Sequence, residues 1–222
     1  MKFSKKLRVD FHCHTYYSRD SLTRPENLVK MCHRKGLDRI VVTDHNTIAG
    51  ALEAHYLDPL HIIVGEEIMT SSGELLAAYV QERVQAGIPP LETIQILRDQ
   101  GAFISISHPF DKMRKGSWRM EDILPILPYV DAIEGFNARI MVQDANKQAL
   151  SFAKEHDLAI TAGSDAHTAF ELGMASLWLD PFENVDELKF NIRHGILSSK
   201  QSPWWVHILS TYAKYHNNLK KG

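Results

Sequence analysis

The chain has 222 residues, 44% hydrophobic and 23% charged, which suits one domain with a substantial core and excludes a disordered polymer. Its 25 Lys and Arg against 27 Asp and Glu give a formal charge of −2, which excludes holding nucleic acid by bulk positive charge but not a nucleotide substrate at a local site. No apolar run spans a bilayer, no apolar stretch follows the basic start to make a signal peptide, and Cys13 and Cys32 make no disulfide framework, so a reducing cytoplasm is the expected location.

Apolar, strand-like runs alternate with helical patterns along the chain. Residues 7–11 read as a strand, and 25–35 as a helix with Pro25 near its start and Gly36 as its stop. Residues 40–42 and 62–64 read as short buried strands on either side of a helix at 49–56. A strand at 75–80 precedes a helix at 91–100, whose Leu91, Ile94 and Leu97 share a face. Then come a strand at 102–107, a weak helix at 121–127, a strand at 132–136 and an amphipathic helix at 143–156. Strands at 158–161 and 175–179 follow, and Val185, Leu188, Ile192 and Ile196 mark a last helix stopped near Gly195. The alternation predicts a parallel α/β architecture, and the length favours a barrel or incomplete barrel over an open sheet. Residues 1–199 form the expected catalytic domain, and 200–222, rich in Trp and Tyr, a C-terminal helical extension.

Parallel α/β folds place function at the carboxyl ends of strands. The 12 histidines concentrate there, mixed with carboxylates. Strand one ends in Asp10-Phe11-His12-Cys13-His14. Side chains alternate along a strand, so His12 and His14 share a face and can converge on one cation, while Cys13 points away. Strand two ends in Thr43-Asp44-His45, with His45 the candidate ligand and Asp44 its orienting or proton-handling partner. The adjacent Glu66 and Glu67 after strand three are costly unless something positive meets them, and one of them could bridge two metals. Strand five delivers His108, fixed by Pro109, and strand six ends in Glu134-Gly135-Phe136-Asn137-Ala138-Arg139. Strand seven ends in Gly163-Ser164-Asp165-Ala166-His167, with Asp165 and His167 again two apart. Histidine nitrogens mixed with carboxylate oxygens, without clustered thiols, suit a multinuclear Zn, Mn or Fe site.

In order, Asp10-Phe11-His12-Cys13-His14-Thr15, Ser18-Arg19-Asp20, Thr43-Asp44-His45, Gly65-Glu66-Glu67-Ile68, Ser107-His108-Pro109 and Gly163-Ser164-Asp165-Ala166-His167 resemble the PHP superfamily, named for polymerase and histidinol phosphatase domains. The resemblance covers roughly residues 7–180, is closest to short stand-alone members, and implies a distorted (β/α)7 barrel with metal-dependent phosphoesterase activity. It implies two or three divalent ions. His12, His14, Glu67 and Asp165 would hold the first, and Glu67 would bridge to a second that also takes His108. Asp20, His45 and His167 would hold the third. Glu74 stands where many relatives place a histidine and would supply an oxygen instead, which tilts the site toward Mn or Fe.

With three divalent cations against Asp20, Glu67, Glu74 and Asp165, the filled site would be about two units positive and suited to a phosphate dianion. The expected reaction is attack of a metal-activated hydroxide on a small phosphomonoester or nucleotide. Arg139 is the leading candidate for a phosphate fork, with Arg19 and Arg114 behind it. Protonation of the leaving group falls to His167, Asp44 or a metal-bound water. The alternatives are a phosphodiesterase trimming short oligonucleotides, helped by Met113, Arg114, Lys115 and Trp118, a non-catalytic metal-binding scaffold, and a metal-dependent C–N hydrolase. The expected partner is a small phosphorylated substrate, with no stable nucleic-acid complex and no membrane. The C-terminal helix would dock on the barrel or on a second subunit in a homo-oligomer, with a membrane-surface helix as the sharper alternative.

Overall fold

The computed structural model describes residues 5–142 and 144–219. The strands are β1 (Leu7–Cys13), β2 (Arg39–Val42), β3 (Ile62–Met69), β4 (Glu74–Ala78), β5 (Phe103–Ile106), β6 (Ala132–Asn137), β7 (Ala159–Gly163), β8 (Ala175–Leu179) and β9 (Ile196–Ser199). The helices are α1 (Pro25–Arg34), α2 (Ala49–Leu57), α3 (Pro90–Asp99), α4 (Met120–Ile123), α5 (Ala145–Glu155), α6 (Val185–Asn191) and α7 (Val206–Leu219).

The strands form one sheet in the order β7-β6-β5-β4-β3-β2-β1-β8-β9. Past the end of β7 the chain returns alongside β1. Asp165 N donates to His12 O at 2.7 Å and His14 N to Ala166 O at 2.8 Å, so the sheet nearly closes into the expected distorted barrel. The pairs β1–β2, β2–β3, β5–β6 and β6–β7 are parallel. Strand β4 is antiparallel to both neighbours, because the turn between β3 and β4 is too short for a crossover. Thr70 Oγ1 closes that turn, donating to Gly73 O at 2.6 Å and accepting from Gly73 N at 3.1 Å. The reversal matters for the site. Glu74 begins β4, so it lies at the rim where the parallel strands end.

An apolar plug of Val9, Phe11, Val41, Ile63 and Phe103 fills the barrel beside the polar strand ends, with the Phe11 and Phe103 rings 6.2 Å apart. A fully buried Phe such as Phe103 contributes about 1.5–3 kcal/mol. A second cluster, including Leu28, Cys32, Val42, Ala51 and Ile62, packs α1 and α2 onto the sheet.

Three sequence expectations need correction. The stripe ending at Ile196 is not one helix: α6 stops at Asn191, a single 3-10 turn follows, and Ile196–Ser199 pairs with β8 as an edge strand. The i,i+4 spacing of Ile192 and Ile196 straddles that turn by coincidence. The segment at 121–127 is helical only over Met120–Ile123 before tightening into 3-10 geometry over Leu124–Tyr129, where Pro125 and Pro128 lack the donors an α-helix needs. The helix expected over 143–156 spans Ala145–Glu155, and residue 143 lies outside the described residues. Among the described residues no helix is long and apolar enough to cross a membrane.

Candidate metal centre

The histidines of β1 meet as their spacing predicts. Nε2 of His12 and Nε2 of His14 lie 3.1 Å apart, both rings fully buried. The β1–β2 register shifts between Asp10 and Cys13, a bulge of the kind that re-aims side chains. Cys13 points into the helix layer, its thiol donating to Val41 O at 3.3 Å.

Partners outside the pocket fix the ring tautomers. Glu134 Oε1 faces His12 Nδ1 at 2.9 Å, and a carboxylate can only accept, so His12 Nδ1 carries the proton. Ser18 gives its hydroxyl proton to Asp44 Oδ1 at 2.6 Å and so accepts from His14 Nδ1 at 3.2 Å. His167 Nδ1 donates to Asp165 O at 2.8 Å. In all three rings the Nε2 lone pair therefore turns inward. Lone pairs of His12 and His14 facing each other at 3.1 Å repel unless something positive stands between them.

Glu67 completes the pocket. β3 runs on through both glutamates, so they take opposite faces. Glu66 turns away to accept Val84 N–H at 3.0 Å, and Glu67 faces the histidines. Glu67 Oε2 lies 3.3 Å from His12 Nε2, 3.5 Å from His14 Nε2 and 2.9 Å from His45 Nδ1. Its Oε1 lies 3.0 Å from His108 Nε2 and accepts the Ser107 hydroxyl at 2.9 Å. Asp165 Oδ1 lies 3.2 Å from His14 Nε2 and 3.5 Å from His12 Nε2.

These atoms fall into three neighbouring groups. His12 Nε2 and His14 Nε2 lie 3.1 Å apart, and each lies 3.2–3.5 Å from Glu67 Oε2 and from Asp165 Oδ1. Donors about 2.0–2.1 Å from a tetrahedral ion lie about 3.3 Å apart, which these five separations match. The other Glu67 oxygen joins His108, whose Nε2 is 3.3 Å from Glu74 Oε2. Asp20 Oδ1 lies 3.2 Å from His167 Nε2 and 3.6 Å from His45 Nε2. Among the described residues, Glu67 Oε2 and Asp20 Oδ1 are buried with no hydrogen-bond donor. Buried anionic oxygens without donors, ringed by inward nitrogen lone pairs, fit divalent cations.

The electrostatics agree. Burial opposes charge on His12, yet Glu67, Asp165 and Glu134 hold it well above the usual histidine range. Burial and the neighbouring His167 and His45 push His14 well down. Against burial, Arg114 and His12 hold Asp165 well below the usual carboxylate range. Burial and the Glu67 charge raise Glu74. In the protein alone, protons and Arg114 supply the positive charge that the carboxylates demand.

The arginines separate. Arg114 reaches into the centre, its Nη2 bonded to Asp165 Oδ2 and its Nε 3.3 Å from Asp111 Oδ2. Arg139 turns instead toward α7. Its Nη2 donates to Ser210 Oγ at 2.8 Å, its Nε lies 3.4 Å from Glu171 Oε1, and only Nη1 has no partner. The Arg19 side chain is exposed, and its carbonyl accepts from Asn217 Nδ2 on α7 at 2.9 Å. Asp44 faces away from the pocket, clasped by Thr15 N at 2.8 Å, Thr15 Oγ1 and Ser18 Oγ, so it orients His14 through Ser18. Trp118 is buried, donating Nε1 to Glu74 O at 2.9 Å, and offers no face for a stacked base. Helix α7 docks through Val206, Ser210 and Ala213 and brings Lys214 Nζ to 3.3 Å from Asp20 Oδ2.

The supports of the centre carry no spacing signal of their own. Glu134 also accepts His108 N–H at 2.8 Å and Asn137 Nδ2 at 3.2 Å, and Asn137 Nδ2 lies 3.2 Å from Asp165 Oδ2. Asp10 accepts Ser164 N–H at 2.9 Å and Gly173 N–H at 2.8 Å, fastening the end of β7 to β1, and its burial pushes its pKa up to about 6. A cavity near 540 Å³ between Arg39, Tyr79 and Phe182 lies at the other end of the barrel, away from this chemistry.

Residues 10–96 match the PHP domain and 143–196 the PHP-associated family. An uncharacterized protein of Methanocaldococcus jannaschii is 35% identical over 172 residues, 76% of this chain and 69% of that one. The chain belongs to the PHP superfamily. Among solved structures, PsfC from Pseudomonas syringae superposes with a TM-score of 0.68 at 15% identity, covering 97% of this chain and 99% of its own. A Bifidobacterium adolescentis protein named for metal-dependent phosphoester hydrolysis gives 0.62 at 17% identity, covering 85% and 96%. At these identities the superpositions establish the PHP-type barrel and nothing finer.

Proposed function

We propose that this PHP protein is a divalent-metal-dependent phosphoesterase that hydrolyses small phosphomonoesters, nucleotides among them. The observation that carries the reading is the buried pair His12 Nε2 and His14 Nε2, 3.1 Å apart, each 3.2–3.5 Å from Glu67 Oε2 and Asp165 Oδ1, with Arg114 at the edge. The PHP-domain match and the fold neighbour named for metal-dependent phosphoester hydrolysis support it.

His12, His14, Glu67 and Asp165 would hold one ion, Glu67, Glu74 and His108 a second, and Asp20, His45 and His167 a third. Zn, Mn or Fe ions held there supply an activated water and Lewis-acid stabilisation of the phosphoryl oxygens. Everything else falls to the chain. Glu134, the Ser18–Asp44 pair and Asp165 O lock the imidazole rings. Glu67 keeps its two oxygens aimed at separate groups through Ser107. Arg114 is placed to exchange its bond with Asp165 for a charge-assisted contact to a substrate phosphate.

A small substrate is favoured over an oligonucleotide by the rim. Trp118 is packed inside, and α7 with Lys214 covers the Asp20 side. The test strips the protein with chelator, returns Mn, Zn or Fe(II) singly, and assays mononucleotides, nucleoside bisphosphates, histidinol phosphate and short RNA. Metal-dependent phosphate release from a monoester is expected. Turnover indifferent to chelation, or confined to RNA, contradicts the reading.

A further inference from the structure

A second cluster of ligand-type residues sits at the opposite end of the barrel. His33 lies in the last turn of α1, Asp58 directly follows α2, and His61 directly precedes β3. From His61 to Glu67 is six residues of nearly extended chain, roughly 20 Å, so the cluster is separate from the buried centre.

The three side chains converge. His33 Nε2 lies 2.8 Å from Asp58 Oδ2, and His61 Nδ1 lies 3.0 Å from each Asp58 oxygen. The two rings meet edge-on, with centroids 4.4 Å apart. Asp58 Oδ2 is buried and has no well-formed hydrogen bond in spite of these short distances. Protonating both rings would put two like charges side by side on a single carboxylate. Leaving both neutral lets His61 Nδ1–H donate to Asp58 Oδ1 but leaves the buried Oδ2 without a well-aligned donor. One divalent cation resolves both problems, since two neutral imidazoles and a carboxylate can share it.

The surroundings favour a cation as well. The carboxyl-terminal ends of α1 and α2 both point to this spot, and each presents the negative end of its helix dipole. His33 is half-exposed, which leaves an entry path and open positions for water. Cys32, next in sequence, is no ligand: it is buried in the helix layer and donates to Leu37 O at 3.4 Å.

We propose that His33, Asp58 and His61 form a surface site for a divalent transition metal, such as Zn or Ni, that fastens the end of α1 to the α2–β3 connection. Two nitrogens and a carboxylate, with the remaining positions open to water, suit these borderline ions rather than Ca or Mg. Occupancy ties together residues 28 apart in sequence and stabilises the folded chain by binding it alone.

The experiment uses the full chain with its buried centre already loaded with metal. Zn(II) is then titrated in by calorimetry, and bound metal is counted after desalting. The unmodified protein is expected to take one more equivalent than the His33→Ala/His61→Ala double variant, and to gain several degrees in thermal midpoint that the variant does not. Asp58→Asn, which keeps the side-chain shape, should lose the same equivalent. Equal stoichiometry and equal thermal gain in all three proteins would overturn the site. Because the readout is metal count and midpoint, it stands whatever the buried centre turns over.

Discussion

Glu134 Oε1 lies 2.9 Å from Nδ1 of His12, while the other oxygen of the same carboxylate accepts the His108 N–H at 2.8 Å. One buried acid on β6 thus positions histidines from two other strands. Glu134→Gln would set an amide where an acceptor is needed and loosen the His12 ring. Metal affinity at the buried centre should fall about 10–100-fold with the fold intact, the range typical of residues that orient a metal ligand. Competition with a chromophoric chelator measures it, and unchanged affinity would remove Glu134 from that role.

Removing a ligand itself should do more. His12→Ala or Asp165→Ala is expected to abolish phosphate release and to lower bound metal by at least one equivalent, with the circular dichroism spectrum unchanged. Both residues sit at strand ends beyond the apolar plug, so their loss leaves the packed core alone. Full turnover at unchanged metal content in either variant would refute the proposed ligand set.

The alternation of His12 and His14 was legible because a strand has a period of two and nothing else in the region competes. So was their company, since His45, His108, Asp165 and His167 all follow apolar runs. The sequence alone leaves Glu66 and Glu67 undecided, because the apolar run that marks β3 stops at residue 64. A strand running on to Met69 sends the two glutamates to opposite faces. Glu134 does carry a signal, an acid inside an otherwise apolar strand, where an unpaired charge is costly. The position of Arg139 after β6 points it at the site, but its partner Ser210 lies 71 residues away on α7, a contact no spacing reveals. β9 was hidden because one residue of a helical stripe fell beyond Gly195.

Arg114 offers a separable test of substrate binding. Its guanidinium already meets a carboxylate of the centre, so a phosphate can replace that partner. A hydrogen bond to a charged group contributes about 1.5–3 kcal/mol, or roughly 10–100-fold. Arg114→Met should therefore lower kcat/KM for a phosphomonoester by about that factor, chiefly through KM, with metal content unchanged. Arg114→Lys should recover part of the loss. Steady-state kinetics at saturating metal decides it, and an unaltered KM would exclude the contact.

Glu66 makes a prediction about stability instead of catalysis. It is buried, its Oε2 accepts Val84 N–H at 3.0 Å, and its Oε1 has no partner, the place a proton would occupy. Burial pushes its pKa up to about 7 from an ordinary 4.5. The folded chain therefore keeps this proton over a range in which the unfolded chain has released it. The folded state binds more protons there, so stability falls as pH rises. The contribution is fully present below about 4.5, declines through the window to 7 and is gone above it, and the shift sets its upper limit at roughly 3.5 kcal/mol. Glu66→Gln keeps the acceptor for Val84 and the volume but cannot titrate. The variant should exceed the unmodified protein in urea midpoint at pH 8, and the gap should close toward pH 4.5. Other groups titrate alike in both proteins, so the difference isolates this carboxyl, and parallel midpoint curves across that range would mean that its pKa is not raised.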